Sequence, residues 1–259
     1  MKKTLMTLAL AAAAWGGAPV QALTITFGGV NPGDGSFLTS ALTPTNTLNP
    51  AAGLFVETFD LPGGGCGMNS AAAGVSISGD YQIPNTTIGN AAAPANDTTC
   101  YAAGPTLLGP GNGADEVVID YANFLTGPFA GRRIDYLGLY WGSIDNYNDI
   151  TFYAAGVAIQ ILTINGSALN KTTLTGGDVL QFGGNSGDRQ NPNTNRYVNI
   201  FFDPSEQFDK MVFRSTNYAM EVDNVAIRVA NVPEPSGIAL FAAALLGLGW
   251  ASRRGRARP

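Results

Sequence analysis

The sequence predicts an all-β protein, an antiparallel β-sandwich of jelly-roll-like architecture, and three observations lead there. Apolar and polar residues alternate with period two in segment after segment from Leu23 onward. No comparable stretch carries the 3.6-residue period of an amphipathic helix. Only 13% of residues are charged, while 33 Gly and 15 Pro punctuate the chain, a composition that suits many short strands joined by turns.

The strand segments follow in order. LTITFG places Leu23, Ile25 and Phe27 on one face. VSIS near Val75, EVVIDY from Glu116 and RIDYLGLYW from Arg133 come next. Then follow DITFY from Asp149, VAIQILTI from Val157, RYVNIFF from Arg196, FDKMVF from Phe208 and MEVDNVAIRV from Met220. About nine or ten strands fill one sandwich domain over residues 23–231. In RIDYLGLYW both alternating sets are partly apolar, the mark of a central strand covered on both sides. Two stretches, 28–53 and 79–115, are rich in Gly, Pro, Asn and Thr and read as long loops, either functional or folded over a sandwich edge.

Both ends read as addresses. Residues 1–22 combine Lys2 and Lys3, an apolar run from Leu5 to Trp15 and small residues around Val20-Gln21-Ala22, the pattern of a secretory signal peptide cut after Ala22. Residues 232–259 hold Pro233-Glu234-Pro235, an apolar stretch over about 237–251 and then Arg253, Arg254, Arg256 and Arg258. As a helix that stretch reaches roughly 22 Å, short for a bilayer core but able to span it with help from its flanks. Arginines resist crossing, so the cluster stays cytoplasmic and the domain faces outward.

This order of Pro-Glu-Pro, short apolar helix and arginine cluster resembles the PEP-CTERM sorting signal of exosortase-dependent proteins, over roughly the last 27 residues. The resemblance implies a Gram-negative envelope or exopolysaccharide setting, transient inner-membrane anchoring, and an exosortase that cuts near the motif. Signal peptidase and the general secretion machinery are the other expected partners. The run Gly138-Leu139-Tyr140-Trp141-Gly142-Ser143-Ile144-Asp145-Asn146-Tyr147-Asn148 is similar to a block of one group of PEP-CTERM surface proteins. That likeness extends over most of 136–231 and implies no assigned catalytic residues.

Charge and cysteines fit export. Between the two ends lie 8 basic and 18 acidic residues, so the body repels phosphate backbones and nucleic acid is not an expected partner. Cys66 and Cys100 are the only cysteines, and an even number in an oxidising compartment favours one disulfide.

The chain contains no histidine, which excludes Ser-His-Asp and Cys-His catalysis, His-ligated metals and a histidine pH switch. No GxSxG, P-loop, GxGxxG or HExxH occurs. A carboxylate pair drawn from Glu57, Asp60, Asp115, Glu116, Asp120, Asp135 and Glu221 is the remaining catalytic option, and solvated or structural carboxylates are its simpler reading. Asp145, Asn146, Asn148 and Asp149 offer oxygen ligands to Ca²⁺, though their spacing matches no EF-hand and an Asx-turn explains them as well. Asp223, beside Asn224 in the last strand, is a further calcium candidate by fold analogy. Tyr136, Tyr140, Trp141, Tyr147 and Tyr153 form either a sugar-stacking platform or core. The sequence therefore predicts an exported, non-enzymatic surface or matrix protein with no cofactor; a carbohydrate-binding module acting on matrix polysaccharide is the rival.

Overall fold

A computed structural model of the chain describes residues 22–106, 115–204 and 206–232. Its strands are β1 (Ala22–Phe27), β2 (Leu54–Glu57), β3 (Ser76–Gly79), β4 (Ala102–Gly104), β5 (Asp115–Asp120), β6 (Arg132–Gly142) and β7 (Asn148–Ala154). They continue with β8 (Val157–Ala158), β9 (Gln160–Ile164), β10 (Ser167–Lys171), β11 (Thr173–Thr175), β12 (Arg196–Phe201), β13 (Lys210–Ser215) and β14 (Met220–Asn231). Among the described residues two short α-helices, α1 (Ala122–Thr126) and α2 (Gly176–Leu180), and two single 3-10 turns, Pro50–Ala52 and Ala71–Ala73, interrupt them.

The strands form two sheets. The larger runs β10-β9-β1-β12-β6-β14-β2, with β4 also on β14; the smaller runs β11-β7-β13-β5-β3, with β8 on β7. Among the described residues all pairings but one are antiparallel. The exception is β1, which pairs β9 in parallel through Leu23 opposite Ile161 and Ile25 opposite Ile164. Alternation cannot reveal that pairing, because it fixes which face a residue takes and not which neighbour its strand finds.

The facing sides of the sheets make the core. Leu137, Leu139 and Trp141 of β6, Val198 and Ile200 of β12 and Val222 of β14 pack with Ile150 and Phe152 of β7, Val117 and Ile119 of β5 and Met211 of β13. Each such side chain, fully buried, stabilises the fold by about 1.5–3 kcal/mol.

The middle of the larger sheet's other face, around Tyr136 and Tyr140, is buried too, and the loop-rich stretches cover it. Tyr136 and Tyr140 are 1% and 0% exposed. The Tyr136 hydroxyl lies 2.7 Å from Ser40 Oγ, and the Tyr140 hydroxyl donates to the Ala95 carbonyl at 2.7 Å. Tyrosine suits this layer, since its ring packs on the sheet and its tip bonds the loop above. Asn224 fastens the same layer: its Nδ2 donates to Ser36 Oγ at 2.7 Å and to the Leu38 carbonyl at 2.9 Å, and its Oδ1 accepts from Asn46 Nδ2 at 3.0 Å. It sits at a β-bulge of β14, where the register with β6 shifts between Asp223 and Ala226, with φ of +48°. Asn tolerates that left-handed conformation better than most residues.

Cys66 and Cys100 are joined, with Cα atoms 5.5 Å apart. Beside them the Cys100 amide donates to Asp60 Oδ1 at 3.0 Å, and Asp60 pairs with Cys66 in an isolated bridge. The bond thus ties the segment that follows β2 to the end of the 79–115 stretch, with Cys100 buried in the core cluster and Cys66 packed against it. No helix among the described residues is long and apolar enough to cross a membrane. Residues 1–21 of the expected signal peptide and the expected helix over 237–251 lie outside the described residues.

Candidate functional site

β6 ends at Gly142, and the chain turns through Ser143 to Tyr147 before β7 begins. This turn, with the start of β14 and the segment around Asn90, walls a polar cup of about 200 Å³. Its lining includes Ser143, Asp145, Tyr147, Arg189, Tyr218 and Glu221. Glu221, 3% exposed, is held by two donors: Ser143 Oγ at 2.7 Å and the Ala92 amide at 3.0 Å. Burial pushes its carboxyl up to about 8, so Glu221 keeps its proton at neutral pH.

The turn residues are occupied with one another. Asp145 accepts from the Tyr147 hydroxyl at 2.7 Å and from Ser186 Oγ at 2.9 Å. Gly176 packs so closely under the turn that a Cβ there would lie 1.9 Å from the Asp145 carbonyl oxygen. Asn148 is buried and its Nδ2 donates to the Ala219 carbonyl at 3.3 Å. Asp149, on β7, stands opposite Arg214 of β13. The four calcium candidates Asp145, Asn148, Asp149 and Asp223 therefore do not gather around one point. No group of three or more acidic or cysteine side chains suited to a metal is found among the described residues.

The carboxylates expected to supply an acid and a base are likewise dispersed. Glu57 accepts from the amides of Phe59, Asn69 and Ser70 and from Ser70 Oγ. Glu116 pairs with Arg214, Asp135 with Arg228, and Asp120 accepts from the Ala122 amide at 2.7 Å. Of the seven only Glu221 lines the polar cup. Of the five aromatic residues only Tyr147 reaches it; Tyr136, Tyr140 and Trp141 are buried beneath loops or in the core, and Tyr153 is half-buried with Lys210 over its ring. Ser143, Arg189 and Tyr218 of the cup were not singled out by sequence, although Ser143 lies inside the aromatic run.

The remaining feature is the exit of the chain. β14 pairs with β6 along its length, down to Asn231 opposite Arg132. Residues 231–254 match the family model described as the PEP-CTERM protein-sorting motif. This chain carries a PEP-CTERM sorting motif. The motif supports an exported surface protein that depends on exosortase, and it implies membrane-associated sorting. No curated protein matches the chain.

The PEP-CTERM motif begins on the last residue of β14, so no spacer separates the sandwich from the sorting signal. Pro233, Glu234 and Pro235, with Arg253, Arg254, Arg256 and Arg258, lie outside the described residues. At the other end Ala22 opens β1 opposite Gln160. A cut after Ala22 leaves Leu23, which is fully buried, as the first residue.

Proposed function

We propose that this is an exported, non-enzymatic protein of the cell surface or exopolysaccharide matrix of a Gram-negative bacterium, delivered by its own C-terminal sorting signal. The observation that carries the reading is the sorting motif placed directly at the end of the last strand. A signal peptide removed after Ala22 leads export. The apolar stretch and its arginines then stop transfer and hold Pro233-Glu234-Pro235 outside the bilayer, where prolines keep the segment extended and unpaired. An exosortase in the same membrane cuts there and releases the sandwich. The engagement of Glu57, Glu116, Asp120 and Asp135 in structural bonds supports a role without catalysis, and no cofactor enters the scheme.

The test is fractionation with C-terminal peptide mapping in the native host. Replacing Arg253, Arg254, Arg256 and Arg258 by glutamine is expected to weaken membrane retention and correct processing, and Glu234→Gln to leave an uncut, membrane-bound form. Unchanged retention and processing in both variants would overturn the scheme.

A second reading is a carbohydrate-binding module held in matrix polysaccharide. It draws support from the polar cup, whose size suits one sugar ring and whose rim carries Tyr147, Tyr218 and Arg189. Binding in a glycan array, lost in a Tyr147→Ala, Tyr218→Ala variant, would favour the module over a passive coat protein.

A further inference from the structure

Asp97 and Asp223 pose a problem of buried charge. Asp223 stands on β14 immediately before the bulge and is 0% exposed; Asp97, in the loop that also carries Cys100, is 9% exposed. One hydroxyl spans both: Thr99 Oγ1 donates to Asp97 Oδ1 at 2.7 Å and reaches Asp223 Oδ2 at 3.5 Å. The Thr99 amide adds a second bond to Asp97 Oδ1 at 2.8 Å. The other oxygen of each carboxyl, Asp97 Oδ2 and Asp223 Oδ1, is buried and accepts from no donor, and the two carboxyls lie within hydrogen-bond reach of each other, a contact that needs a shared proton or a cation.

The charge nearby makes this worse. Asp60 acts on both groups, each acts on the other, and neither forms a salt bridge among the described residues. Burial pushes the Asp97 carboxyl up to about 6 and the Asp223 carboxyl well above the usual range. Buried carboxylate oxygens in folded proteins are bonded, protonated or bound to an ion. Two such oxygens, one from the loop and one from β14, offer a pair of acceptors to a hard cation.

We propose that Asp97 and Asp223 hold a calcium ion between their unpartnered oxygens, bracing the disulfide-bearing loop against the bulge of β14. Ca²⁺ takes six to eight oxygens in flexible geometry, whereas Mg²⁺ demands a strict octahedron and sheds water reluctantly. Two carboxylates from separate elements therefore favour Ca²⁺, with water and neutral oxygens completing its shell. So few charges place the affinity in the range of extracellular modules, about 10⁻⁴–10⁻³ M. The site shares only Asp223 with the residues singled out by sequence, and neither aspartate is among the residues lining the polar cup.

The experiment uses the full chain in detergent, stripped with chelator at neutral pH, followed by calorimetric titration and thermal melts with CaCl₂ and MgCl₂. Saturable Ca²⁺ binding with a raised melting temperature, and a weaker Mg²⁺ response, is the expected result. Asp223→Asn and Asp97→Asn should each weaken it by about tenfold or more, while Asp145→Asn should leave it unchanged. If Asp223→Asn does not fold, Asp97→Asn in the loop decides the matter. Absence of heat and of any melting shift up to about 10 mM Ca²⁺, well above the expected affinity, would overturn the proposal and leave a shared proton as the bond between the two acids. Calcium binding that survives both aspartate variants would overturn it equally.

Discussion

Asn224 offers the sharpest test of how the loop layer is held to the larger sheet. Its side chain makes three hydrogen bonds to Ser36, Leu38 and Asn46, at 2.7, 2.9 and 3.0 Å, and is wholly buried. Replacing it by alanine removes all three, a loss of about 3 kcal/mol at roughly 1 kcal/mol each. Alanine must also adopt φ of +48°, which costs about 1–2 kcal/mol more. Asn224→Ala should therefore destabilise by about 4–5 kcal/mol, lowering the melting temperature by roughly 10–15 °C for a domain of this size. Asn224→Gly loses the same bonds without the backbone strain, though its freer unfolded chain takes back part of the difference. The glycine variant should thus be the more stable of the two, by about 0.5–1 kcal/mol. Urea unfolding of wild type and both variants measures this. An alanine variant within about 1 kcal/mol of wild type would refute the clamp, and a glycine variant no more stable than alanine would refute the backbone argument.

Three further outcomes follow from the structure. Removing the bond across the 34-residue separation with paired Cys66→Ala and Cys100→Ala changes should cost about 3–4 kcal/mol in the urea midpoint, and an unchanged midpoint would contradict the staple. Gly176→Ala, whose Cβ meets the Asp145 carbonyl at 1.9 Å, should destabilise by about 1–3 kcal/mol. Gly177→Ala, with nothing nearer than 3.6 Å, should instead be neutral or stabilising by up to about 1 kcal/mol, and equal melting temperatures for the two would sink the contact. Burial pushes the Glu206 carboxyl from its ordinary 4.5 up to about 7. The folded chain then holds that proton longer than the unfolded one, so the contribution is complete below about 4.5 and is lost as pH rises through about 7. Glu206→Gln should flatten this part of the stability profile, and a variant that keeps the wild-type slope would exclude Glu206 as its source.

Sequence reached the core of this molecule and stopped at its covering. The double apolar character of Tyr136 to Trp141 marked β6 as central, and the structure places it between β12 and β14. Cys66 and Cys100 were paired by compartment and number alone, and they are joined. β2 and β4 escaped notice because four and three residues carry too little alternation to register. The tyrosines of β6 suggested a sugar platform because pattern reports amphipathicity and not what lies above it; here loops do. Asp223-Asn224 broke the alternation of the last strand, which is how a bulge shows in sequence. That Asn224 clamps three loop residues depends on contacts almost two hundred positions away, beyond any local pattern. Asp97 lay in a stretch read only as loop, and nothing local tied it to Asp223.

The direct passage from β14 into the sorting signal has a mechanical consequence. Under the proposed membrane tether, a pull directed along β14 would load its ladders with β6 and β2 in shear. Load applied this way must break many hydrogen bonds at once rather than unzip them one by one. Pulled in that direction, β14 is held by the ladders on both of its sides.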